Sequence, residues 1–155
     1  MRILCAIGPL RGRDVARAAA SNAREGDELV LVHVIDEGPR RDLDMLRGPL
    51  HPHHGRGAEL DAAEDSAGKA ALKEAAEEAA RRGLSASPRL ERGNPEQTVV
   101  RLAAELDAAV VVLAAREAPG GHPLTGPPSV GHTARFILDH SPVNVLMIRG
   151  ASTMS

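Results

Sequence analysis

The chain has 155 residues, enough for one domain with a proper core, and its 19 Lys+Arg against 21 Asp+Glu leave a formal charge of −2. That balance gives no electrostatic case for nucleic acid or an anionic membrane. One Phe with no Tyr or Trp leaves no aromatic platform for stacking bases, a single Cys excludes an intramolecular disulfide and fits a reducing cytoplasm, and no apolar run approaches the length of a membrane span.

Apolar runs and helical patterns alternate along the chain. Ile3–Ile7 is too short for a signal peptide and is predicted to be strand one. A helix is predicted over Asp14–Arg24, ended near Gly26, and strand two over the Leu/Val/Ile run Leu29–Ile35. Asp36–Gly57, rich in Arg, Pro, Gly and His, has no hydrophobic period and is expected to be a mobile loop insertion. Ala58–Arg82 is a long Ala/Glu helix stopped by Gly83. Ser85–Glu91 is a polar strand three that carries Pro88. Asn94-Pro95-Glu96-Gln97 then supplies an N-cap, a proline at the first helical position and Gln at N3. Val99, Leu102, Ala103 and Leu106 form the buried stripe of the helix it opens. Val110–Leu113 is strand four, Gly131–Asp139 the last helix and Val143–Ile148 strand five; Ala151–Ser155 is expected to be a disordered tail to a domain of residues 1–150.

Strands alternating with helices imply right-handed βαβ units and a parallel sheet. Strands one, two and four are apolar on both faces and belong inside it. Strand three, polar and interrupted by a proline, belongs at an edge. The fold class that follows is α/β: a single-domain, parallel five-stranded sheet of order 3-2-1-4-5 with helices on both faces. Strand five then lies at the other edge. An apolar edge needs a cover, and the simplest is the same strand of a second copy about a two-fold axis, giving a homodimer through Val143–Ile148.

Three segments resemble the universal stress protein family and frame nearly the whole chain. Arg2-Ile3-Leu4-Cys5-Ala6-Ile7 is similar to the family's opening strand, and Gly93-Asn94-Pro95-Glu96-Gln97 to its Gly-x-Pro helix-opening turn. Gly131 to Leu146, GHTARFILDHSPVNVL, resembles its last helix, His-x-Pro turn and final strand. The resemblance implies a Rossmann-like fold. It also implies a place for a nucleotide, because the ATP-binding branch carries G-x2-G-x9-G-[ST] after strand four. Glycines there let the backbone approach phosphates at a helix N-terminus. Matching the last glycine to Gly131 puts the middle one at Gly121, the first at Ala118 and the hydroxyl position at His132; anchoring on strand four instead puts the first at Ala114. The motif is damaged either way. ATP-binding members also resemble one another in an Asp just after strand one, where this chain has Gly8 and then Pro9.

The candidate nucleotide crevice therefore comprises Gly8, Pro9, Val34, Arg116, Gly121, Gly131, His132 and Thr133. His132 or Arg116 could meet a phosphate. Gly8 offers no acceptor for a ribose hydroxyl, and each missing buried partner costs ~1–3 kcal/mol. No cofactor is expected, and ATP is expected to bind weakly or not at all. His51, His53 and His54 lack neighbouring cysteines or a second ligand pair and read as a solvated loop rather than a metal site. Arg40, Arg41, Arg47 and Arg56 read as a solvated basic loop balanced by Asp42 and Asp44. Cys5 reads as an inert core thiol, His33 as a satisfied strand-end histidine, and His140 as shaping the turn before strand five. No Gly-x-Ser-x-Gly elbow, Cys/His pair or carboxylate pair emerges. The resulting expectation is a non-enzymatic, cytoplasmic stress-response homodimer, with an unknown protein partner and no nucleic-acid or membrane partner. The alternatives are an ATP-dependent switch and a metal-binding histidine loop.

Overall fold

The structure is a computed structural model that describes residues 1–37, 56–115 and 130–149. Five strands and four helices are found among the described residues: β1 (Arg2–Ala6), α1 (Gly12–Asn22), β2 (Glu28–Asp36), α2 (Arg56–Arg81), β3 (Ser85–Gly93), α3 (Pro95–Glu105), β4 (Val110–Ala114), α4 (His132–His140) and β5 (Asn144–Ile148). All strands pair in parallel in the order β3-β2-β1-β4-β5, as expected from the alternation of apolar runs and helices. Residues 38–55, 116–129 and 150–155 lie outside the described residues, and with them the histidine cluster and most of the basic run. No described helix is long and apolar enough to cross a membrane.

The central strands are buried on both faces, so adjacent residues such as Leu4 and Cys5 are equally inaccessible. One face sets Ile3, Cys5, Leu29 and Leu31 against Val15, Ala16 and Ala19 of α1 and Ala71, Leu72, Ala75 and Ala79 of α2. The other sets Leu4, Val30, Val32 and Val111 against Val99, Leu102 and Ala103 of α3 and Ala134 and Ile137 of α4. The aliphatic bulk comes mainly from the sheet, while α1 and α2 contribute mostly alanine. Small helix residues allow close approach to the strands, and this is how a chain almost without aromatics fills its interior.

Some element boundaries differ from those that local signals suggest. The first helix runs Gly12–Asn22, two residues earlier than predicted at each end. Asp14 is a first-turn acid beside the helix dipole, 3.2 Å from Arg11 Nε, and not the opener. β3 extends to Gly93 and pairs with β2 along its whole length, with Pro88 opposite Leu31. Its edge position tolerates the missing N–H. The predicted start of α3 is observed: Asn94 Oδ1 accepts from the Gln97 N–H at 2.9 Å, with Pro95 in the first turn. Gly83, at φ 75°, ends α2 as expected. The turn into β5 is shaped by Ser141, whose hydroxyl donates to the Val143 carbonyl at 2.7 Å and faces the Val143 N–H at 3.2 Å. His140 ends α4 with its ring 4.3 Å from that of Phe136.

Cys5 is fully buried, and desolvation pushes its thiol up to about 12, so it stays protonated and unreactive at neutral pH. The buried Glu78 of α2 is held down at about 2, first by Arg81 at 2.6 Å and then by Arg17 of α1 at 3.2 Å. This carboxylate ties the two helices of one face together.

Candidate functional site

In a parallel sheet whose order reverses between β1 and β4, the loops leaving those strands part and leave a crevice at their carboxyl ends. A cleft of about 570 Å³ lies there. The loop after β1 supplies Gly8 and Pro9, the end of β2 supplies Val34, and the opening of α4 supplies Gly131, His132 and Thr133. Six of the eight candidate residues are therefore brought together. Arg116 and Gly121 lie outside the described residues.

Apolar side chains form most of the wall, among them Val32, Val99, Leu113 and Ile137. At the far end Gly131 caps α4 with φ 94°, a conformation costly for any residue with a Cβ. The N–H groups of the first helical turn have no partner within their own helix, which makes this the electropositive end of the cleft. Beside it, Glu96 Oε1 accepts a hydrogen bond from His132 Nε2 at 3.1 Å. Glu96 is buried, whereas the His132 side chain is 84% exposed. At the near end, Gly8 has the opposite character. A Cβ built there meets no described atom within 4 Å.

Three lining or adjoining groups are not evident as site residues from the sequence. His33 lines the cleft, and its Nδ1–H donates to the Ile7 carbonyl at 2.7 Å, fixing the strand end from which Gly8 departs. The satisfied strand-end role expected of it fits this bond. α2 passes close to its ring at Gly68, where a Cβ would lie 2.7 Å from His33 Cδ2. Arg11 also lines the cleft. Its Nε donates to Asp14, and Nη2 donates to the Arg149 carbonyl at 3.2 Å, joining the β1–α1 loop to the end of β5. Its place on a βα loop at the carboxyl end of the sheet was the available signal. Glu96 had only the signature of a helix-opening acid. Among the described residues, no cluster of three or more His, Cys, Asp or Glu is placed to hold a metal.

The sequence model of the universal stress protein family matches residues 1–149. The chain belongs to the universal stress protein family. Solved structures of similar fold include that of the hypothetical protein MJ0577, at 15% identity and a TM-score of 0.75, covering 98% of this chain and 97% of that one. A universal stress protein from Archaeoglobus fulgidus, solved in complex with dAMP, has 22% identity and a TM-score of 0.64 over 96% of this chain and 97% of its own. A universal stress protein family member from Arabidopsis thaliana, solved with AMP bound, has 11% identity and a TM-score of 0.62 over 98% and 93%. Among curated proteins no sequence match is found. At these identities the structural likeness establishes the universal stress protein fold, and ligands have to be argued from this chain's own residues.

Proposed function

We propose that this universal stress protein is non-enzymatic and cytoplasmic, and that it works as a homodimer through protein contacts. The observation that carries the reading is the terminal strand β5. Val145, Leu146, Met147 and Ile148 are only half-buried and pack on the two cores from the end of the sheet. The backbone points the same way: a terminal strand presents unpaired N–H and C=O groups, and an apolar one is best satisfied by a second sheet. Sedimentation velocity tests the reading. Wild type is expected to sediment as a dimer at micromolar concentration and Met147→Lys as a monomer or aggregate. A dimer unaffected by Met147→Lys places the interface elsewhere, and a monomeric wild type sinks the proposal.

The cleft favours a second reading, a nucleotide-dependent switch, and relatives solved with dAMP and AMP support it. In this reading ATP binds weakly, because Gly8 has no side-chain acceptor for a ribose hydroxyl. Calorimetry on nucleotide-free protein with ATP-Mg²⁺ is expected to give millimolar affinity, improved about tenfold by Gly8→Asp. Micromolar affinity in wild type, abolished by Gly131→Val, would put the switch first.

A further inference from the structure

The pair formed by His132 and Glu96 bears on what the cleft accepts, given the second reading above, in which the cleft is a ligand site. A phosphate entering the cleft would seek the N–H groups at the start of α4, its electropositive end. At that end the protein has set a carboxylate of its own. Glu96 Oε1 lies 3.1 Å from Nε2 of the first residue of α4 and accepts its proton in a hydrogen bond.

Glu96 lies in the first turn of α3, whose N-terminus is capped by Asn94, so its carboxylate sits near the positive end of that helix's dipole. Its side chain is buried while its imidazole partner is exposed, so water screens the carboxylate less than it screens the ring. The described cation lining the cleft, Arg11, directs Nε to Asp14 and Nη2 to the Arg149 carbonyl. Its charge is therefore already partly compensated from within the chain. The part of the wall formed by Val32, Val34 and Leu113 is apolar and suits a flat, uncharged ring.

We propose that the Glu96–His132 pair is a specificity determinant that turns the cleft against phosphate, so that the ligand class it takes is an uncharged nucleoside in preference to the corresponding nucleotide. Glu96 acts as a built-in anion at the helix end where a phosphate would otherwise sit. His132 carries that carboxylate's influence to the rim of the cleft.

The test is calorimetric titration of the full chain, freed of nucleotide, with adenosine, AMP and ATP-Mg²⁺ at matched ionic strength. Adenosine is expected to bind wild type at least as tightly as AMP. Glu96→Gln retains an oxygen to accept from the imidazole but removes the charge. It is expected to strengthen AMP binding about fivefold while leaving adenosine unchanged. Glu96→Asp keeps the charge and should keep the discrimination, with thermal melts confirming that both variants are folded. The proposal is overturned if wild type prefers AMP by about tenfold or more, or if Glu96→Gln moves both ligands alike. In that case the cleft remains a nucleotide site and only its selectivity has been misassigned. If neither adenosine nor AMP binds wild type, the second reading falls together with this one.

Discussion

The two edges of the sheet were built to different rules. β3 carries a proline in its centre, its Ser87 hydroxyl donates to Glu28 at 2.8 Å, Arg89 faces Glu91 at 3.2 Å, and Arg92 pairs with Asp65 of α2. A missing N–H and a row of charges are the devices by which an edge strand refuses another strand. β5 has none of them: from Val145 to Ile148 it is apolar, with no charge and no proline. A sheet with one blunted edge and one apolar edge can grow in only one direction. The contrast is what puts the proposed partner surface on β5, without reference to any relative.

The largest effect expected from this contrast comes from placing the same charge on each edge. Val145→Lys on β5 should convert dimer to monomer, weakening association by about a hundredfold or more, in the range of a central interface residue. Ser87→Lys on β3 should leave the oligomeric state untouched. Light scattering at several concentrations reads both. Equal behaviour of the two variants would remove the asymmetry on which the proposed dimer rests.

Much of this asymmetry could be read in the sequence, because it is local. Pro88 and the polar run around it marked an edge, and VNVLMI marked a strand without protection. The doubly buried strands announced themselves as unbroken Leu/Val/Ile runs, and Asn94-Pro95 placed a helix start to the residue. The start of α1 was less visible because its N-cap, Arg11, makes no side-chain capping hydrogen bond. The cleft was legible where topology demanded it, at the strand ends with Gly8, Pro9 and Val34 and at the opening of α4 with Gly131, His132 and Thr133. Its polar contacts were not: His33 meets Ile7 across 26 positions and Glu96 meets His132 across 36. Such pairs are created by strand order and helix packing, and no window along the chain contains both partners.

A smaller effect separates the edges in stability. Leu90 of β3 and Leu146 of β5 are both half-buried against the same core cluster. Truncating either to Ala should cost roughly 1–2 kcal/mol in the isolated protomer, less than a fully buried leucine. The two should diverge as protein concentration rises, because only Leu146 lies on the edge proposed to associate. Melting temperatures of Leu146→Ala should therefore fall further behind wild type at high concentration, while the deficit of Leu90→Ala stays constant. A constant deficit for both would mean that association contributes nothing at β5.

The smallest expected effect concerns how the β3 half of the sheet keeps its cover. α2 lies over β2 and β3 and is joined to α1 through Glu78, whose carboxylate receives Arg81, Arg17 and Arg82. Those hydrogen bonds lower it from an ordinary 4.5 to about 2 against an opposing desolvation effect. A carboxyl depressed in the folded state binds protons more readily when unfolded. Its stabilisation is therefore fully present above pH ~4.5 and is lost as pH falls towards about 2. The arginines are half-exposed, so salt should weaken the effect. Comparing melts at pH 5.0 and 2.5, Glu78→Gln should lose less stability on acidification than wild type. Hydrogen exchange should show the extra wild-type loss as faster labelling in α2 rather than in β5. An identical pH response in the two proteins, or early labelling of β5 instead, would show that Glu78 does not hold the cover on this side of the sheet.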